Sequence, residues 1–212
     1  MIKPYKIKLE AEMKEVLVIS GDEFPKERGT SETKLGNFVA DVSLEVANGL
    51  YKPLNNDPID FCLLNFGGLR TSLPKGEITR GKIFELMPFE NELVVVTITK
   101  FNYYGLTNYL YLSRGQPISG RSLHLKPGTL ENAQKDDFLK EAFNPNPTEQ
   151  VKILTSDYLA NGGDKMNFFL NPIKIESVGI KLRDAIIQYC KEQHKKGNQL
   201  IGRIDGRITF EK

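Results

Sequence analysis

The sequence predicts an α+β protein with mixed sheets and interleaved helices. Three observations carry this expectation. Short apolar or β-branched runs alternate along the chain with stretches whose apolar residues recur at helical spacing. No break in composition separates two independent parts, so residues 1–212 read as a single domain, with 1–30 as a lead-in strand and linker. Two glycine-rich loops, far apart in the chain, each follow a strand-like run, and such loops are where binding residues concentrate.

Glu15 to Ser20 reads as a strand. Thr33 to Leu50 reads as a helix with Leu35, Phe38, Val39, Val42 and Val46 on one face, and Ser31 and Thr33 both suit its cap. Lys52 to Pro58 is a turn-rich connector, and Ile59 to Leu64 is a buried strand ending at the first glycine loop. Thr79 caps a short helix from Arg80 to Leu86, which Pro88 stops. Leu93 to Thr99 is β-branched and therefore strand; Phe101 to Leu112 is helix; Gly115 to Pro127 holds short strands or turns. Asn132 to Pro147 is polar and reads as a surface loop. Gln150 to Leu154 is strand, followed closely by the second glycine loop. Ile180 to Lys195 is an amphipathic helix burying Leu182, Ala185, Ile186 and Tyr189. Ile204 to Phe210 closes the series as a strand with a turn at Gly206.

The bulk composition excludes several classes. A net charge of only +2 lacks the dense basic face that general nucleic-acid binding needs. No apolar run is long enough to span a membrane. Cys62 and Cys190 make neither a disulfide framework nor a metal-site spacing and read as two free buried thiols. His124 and His194 are far apart without spaced carboxylates, and no two-metal cluster, nucleophile elbow or P-loop is present. The residues suit holding a ligand better than breaking one.

That ligand chemistry centres on Asn65-Phe66-Gly67-Gly68-Leu69-Arg70 and Tyr158-Leu159-Ala160-Asn161-Gly162-Gly163-Asp164. Arg70 can fork onto an anion, or pair on the surface with Glu77 or Glu85. Asp164 can accept from two hydroxyls, or bond its own backbone in a turn. Phe89 and Tyr158 stand beside loops rather than inside periodic core runs, so they can stack on a base or be partly buried core aromatics. An anion, a pair of hydroxyls and a flat ring are the parts of a nucleotide.

These loops resemble the C-terminal domain of the 5′-nucleotidase family, from about Glu32 to Phe210. The marks are Glu32-Thr33-Lys34-Leu35-Gly36-Asn37-Phe38-Val39-Ala40-Asp41, the two glycine loops, Gly76-Glu77-Ile78-Thr79, Leu86-Met87-Pro88-Phe89-Glu90-Asn91 and Asp205-Gly206-Arg207-Ile208, in that order. The resemblance implies a domain that binds the nucleoside end of a substrate. Phe89 and Tyr158 resemble the two stacking rings, Asp164 the ribose-hydroxyl acceptor and Arg70 the phosphate-side Arg, with Asn65, Gly67 and Asn161 also in the pocket. A second family Arg precedes the Glu-x-x-Leu-Gly-Asn stretch; Arg28 lies one place off and is its candidate here. Phe66 stands where the family usually has Gly, and Tyr158 replaces the common Phe.

The resemblance further implies that catalysis belongs elsewhere. Family members carry a metallophosphatase domain, which the first thirty residues here are too few to supply. The expectation is therefore no catalytic residue and no cofactor in this chain, with divalent metals (Zn, Mn) on a separately encoded metallophosphatase domain or chain. Family enzymes are often exported, which implies a periplasmic or cell-surface location. The alternative is a non-catalytic interaction module that keeps the fold while Phe66 fills the pocket.

Overall fold

The computed structural model describes residues 2–27, 31–53, 57–126 and 150–211. Its centre is a mixed five-stranded sheet in the order β5-β2-β7-β4-β8, formed by β2 (Phe61–Leu63), β4 (Glu92–Thr99), β5 (Ile118–Ser119), β7 (Gln150–Ser156) and β8 (Lys174–Lys181). Strand β4 is antiparallel to both neighbours, and its register with β7 runs from Leu93↔Ser156 to Thr99↔Gln150. Six consecutive residues of β4 are buried, so both faces of the sheet are covered. Period-2 alternation sorts them. Leu93 and Val95 join Cys62 and Leu154 under the helices α2 (Lys34–Leu50) and α6 (Leu182–Lys195). Val94, Val96 and Ile98 join Phe61, Ile153, Leu106 and Leu110 under α4 (Lys100–Leu112).

A smaller sheet, in the order β3-β1-β9, contains β1 (Val16–Ser20), β3 (Gly76–Thr79) and β9 (Gln199–Leu200), while β6 (Leu123–Leu125) and β10 (Ile208–Phe210) form a parallel pair. Hydroxyl side chains make most strand-to-helix junctions. Thr79 caps α3 (Arg80–Leu86), Thr99 caps α4, Ser156 caps α5 (Asp157–Ala160), and Thr33 rather than Ser31 caps α2, each accepting a backbone N–H three residues on. Both cysteines are free and buried, and burial lifts the Cys190 thiol to about 12.

Two of the family-like segments serve this scaffold. The buried Glu32 carboxylate accepts the backbone N–H groups of Asp205 (3.2 Å), Gly206 (3.0 Å) and Arg207 (3.2 Å), and the Asn37 amide at 2.7 Å. Arg207 forks onto Asp41 at 2.7 and 2.8 Å, reaches Asp205 at 2.7 Å and donates to the Ile118 carbonyl at 2.8 Å. Although burial works against its charge, these carboxylates raise its pKa above the ordinary guanidinium value.

Several expectations need correction. Helix α1 (Ile2–Met13) precedes the lead-in strand, and strands occupy Gly76–Thr79 and Lys174–Lys181 where the sequence reading had none. Because β8 takes Ile180 and Lys181, the last long helix starts at Leu182. The strand read over Ile59 to Leu64 covers Phe61–Leu63, and the closing strand is Ile208–Phe210. The polar loop read at Asn132 to Pro147 lies outside the described residues.

Candidate functional site

The two glycine loops meet because β2 and β7 are parallel neighbours, pairing Phe61↔Ile153 and Cys62↔Leu154. Both loops leave from the C-terminal ends of these strands, on the same edge of the sheet, where open sheets hold ligands. In the first loop Asn65 is extended and Phe66–Gly68 form one tight helical turn. The buried Leu69 anchors it, and the Arg70 N–H donates to the Leu86 carbonyl at 2.9 Å, tying the loop to the end of α3.

Phe66 points away from the cleft. Its ring packs on the larger core, so close to α2 that a Cβ on Gly36 would lie 3.0 Å from the ring, and its N–H donates to Gln116 at 2.9 Å. It does not line the cavity described below, so it neither narrows nor fills it.

The second loop is held in an unusual backbone. After α5, Gly162 has φ +84, and the next turn places Asp164 (φ 51) and Lys165 (φ 64) in the left-handed region. Such residues persist where their surroundings over-determine them. Around Asp164, four hydrogen bonds do so. Asn65 Nδ2 donates to Oδ2 at 2.5 Å and the Tyr158 hydroxyl to Oδ1 at 3.1 Å. Asp164 N–H donates to the Tyr158 oxygen at 3.3 Å, and the Tyr109 hydroxyl donates to the Asp164 carbonyl at 3.1 Å. Burial, followed by the Asp164 charge, raises the Tyr109 phenol above its ordinary value.

Close approach explains the glycines here. A Cβ on Gly67 would stand 2.8 Å from Asp164 Oδ2, and one on Gly163 would stand 2.5 Å from the Tyr158 ring. The glycines of these loops thus make room for Asp164 and Tyr158.

The turn carrying Phe89 is fastened to the start of α6. Glu90 accepts from both Lys181 and Arg183, and the Leu182 N–H donates to the Asn91 carbonyl at 2.9 Å. The Lys181 and Arg183 hydrogen bonds hold the Glu90 carboxyl down at about 2. Arg183 in turn lies 4.1 Å from the Phe84 ring centroid.

Between these parts is a cavity of about 290 Å³. Asn65, Gly67, Arg70, Phe89, Tyr158 and Asp164 all line it, joined by Gly68 and Asn91. Phe89 and Tyr158 are 40% and 47% exposed, so both rings keep surface free for a ligand. Among the described residues they make no ring contact with each other. The Arg70 guanidinium sits 5.8 Å from the Phe89 centroid and donates weakly to Gly67 (3.4 Å). No ion pair to Arg70 occurs among the described residues; Glu85, one of its alternative partners, pairs with Lys82 at 2.7 Å. Asn161 does not line the cavity, because its side chain turns back to the Asp157 carbonyl at 2.8 Å. Arg28 lies outside the described residues. Asn91 was missed as a site residue; its place two residues after Phe89 in the same turn was the available signal.

Among the described residues no group of three or more His, Cys, Asp or Glu could hold a metal ion, and no helix is long and apolar enough to cross a membrane.

Comparison with known proteins shows what the chain is similar to. The family model for the 5′-nucleotidase C-terminal domain matches residues 14–99, which contain the first loop and Phe89. The chain is 29% identical over 195 residues to the trifunctional nucleotide phosphoesterase protein YfkN of Bacillus subtilis, covering 84% of this chain and 12% of that protein. It is 28% identical over 207 residues to the cell wall protein Lmo0130 of Listeria monocytogenes, covering 91% of this chain and 26% of that one. The crystal structure of a 5′-nucleotidase precursor from Thermus thermophilus superposes with a TM-score of 0.71 at 23% identity, over 99% of this chain and 42% of that chain. The chain thus spans well under half the length of each.

Proposed function

From the premise that this chain carries a 5′-nucleotidase C-terminal domain, we propose that it is the nucleotide-binding part of a 5′-nucleotidase-type phosphohydrolase. The observation that carries the reading is the convergence on one cavity of two exposed rings, an acid and a guanidinium that has no ion pair among the described residues. The base stacks between Phe89 and Tyr158, a contact worth about 1–3 kcal/mol per base. Asp164 accepts from the ribose hydroxyls with the acceptor positions that Asn65 and Tyr158 leave open. Arg70, with Asn65 beside it, faces the phosphate.

Hydrolysis belongs, in this reading, to a metallophosphatase domain or chain outside residues 1–212. That domain brings divalent zinc or manganese, which supplies the activated water. The described residues here do not fit such a centre, since no three donor side chains cluster. Periplasmic or cell-surface placement is part of the same proposal, supported by a relative named as a cell wall protein.

Calorimetric titration of adenosine and AMP tests the reading. Wild type binds both, while Phe89→Ala and Tyr158→Ala weaken both by tenfold or more. Equal affinity in all three proteins rejects the base clamp. A second measurement adds manganese or zinc to the purified chain with AMP; robust metal-dependent phosphate release overturns the assignment of catalysis to another domain.

A further inference from the structure

Asp164 is an acid whose two oxygens are both engaged from within the protein, Oδ2 by Asn65 and Oδ1 by the Tyr158 hydroxyl. A carboxylate oxygen has two acceptor positions. Each oxygen therefore keeps one position for a ligand, and the plane of the carboxylate is fixed at both ends. The Tyr158 hydroxyl also accepts the Asp164 N–H, so one phenol braces both the side chain and its left-handed backbone. Its ring lies against Gly163, where no side chain fits.

We propose that the Tyr158 hydroxyl is a positioning and specificity-determining group, which locks stacking ring and acid into one preformed unit that reads a vicinal diol. The inference rests on the nucleotide-binding reading above and assigns to the hydroxyl a role distinct from stacking. Phenylalanine at this position stacks equally well and leaves Oδ1 unbraced. The carboxylate then turns about Asn65 alone, and a ligand with two adjacent hydroxyls must order it on binding. A ligand lacking those hydroxyls gains nothing from the brace.

The test is a calorimetric cycle on the full chain with Tyr158→Phe, Asp164→Asn and the double variant. Asparagine tolerates the left-handed backbone at 164. The ligands are adenosine and 2′,3′-dideoxyadenosine, and melting curves confirm folding. Tyr158→Phe weakens adenosine about tenfold, the size of one hydrogen bond to a charged group. It leaves dideoxyadenosine unchanged and causes no further loss in the Asp164→Asn background. Wild-type adenosine affinity in Tyr158→Phe alongside a loss in Tyr158→Ala overturns the hydroxyl's role and leaves the base clamp standing. Equal weakening of both ligands also overturns it, since the hydroxyl would then act on the ring alone. If the wild-type chain itself binds neither ligand, the nucleotide-binding reading falls and this inference with it.

Discussion

Asn65 donates its side-chain amide to Asp164 at 2.5 Å, joining two loops that are 99 residues apart. Asn65 is almost fully buried and Asp164 is exposed, so the amide orients the acid from below and leaves its outer side to solvent. Replacing Asn65 with Ala removes that support. The expected cost is about 1 kcal/mol of stability, with a larger relative loss of adenosine affinity. Asn65→Asp is worse on both counts, because it sets two carboxylates against each other. Thermal melts and calorimetry on both variants give the comparison.

Gly163→Ala tests the packing of the second loop. The new methyl would sit 2.5 Å from the Tyr158 ring and 2.6 Å from the Tyr158 backbone oxygen. The ring can swing away, but the backbone oxygen moves only if the turn rearranges. Overpacking of this kind costs about 1–3 kcal/mol. Circular dichroism should show an intact fold and calorimetry a loss of nucleoside binding. Retained affinity would show that the turn relaxes without disturbing Asp164.

Glu32→Gln separates scaffold from site. Glutamine has one acceptor oxygen where glutamate has two, so at least one of the N–H groups at 205–207 faces an amide NH2 instead of an acceptor. The expected destabilisation is about 3 kcal/mol, read as a lower denaturant midpoint. Nucleoside affinity of the folded fraction stays at the wild-type value.

Acid should loosen the Phe89 turn. The folded pKa of Glu90 lies near 2, below its ordinary 4.5, owing to its hydrogen bonds with Lys181 and Arg183. A depressed carboxylate stabilises above its unfolded pKa and loses that contribution as pH falls through the folded one. The affected window therefore runs from about 4.5 down to about 2. Wild type should lose stability relative to Glu90→Gln across that window and not between pH 6 and 8. Parallel pH dependence in the two proteins would remove Glu90 as the cause.

Much of the fold was legible because its central strands are apolar on both faces. Leu93 to Thr99 announces itself by β-branched or apolar residues alone, and Gln150 to Leu154 by Val151, Ile153 and Leu154. Strand β8 was not legible. It lies at the sheet edge, and Lys174, Glu176, Ser177 and Gly179 interrupt any apolar pattern. Helix α1 was hidden for a similar reason: Ile7 and Leu9 are exposed, so no apolar stripe marks it. At the site, the ring-acid-guanidinium set could be read from residue types beside glycines. The direction of Phe66, the turn-back of Asn161 and the bond from Asn65 to Asp164 could not, because each depends on a partner set by the fold.

Glu32 has a consequence for the order in which the molecule is made. Its carboxylate lies 173 to 175 residues before three of the backbone amides it accepts. A chain emerging from the ribosome carries both cleft loops while this acid has met Asn37 but not the amides of residues 205–207. The scaffold around Glu32 therefore closes only after residue 207 has been made, independently of the two cleft loops.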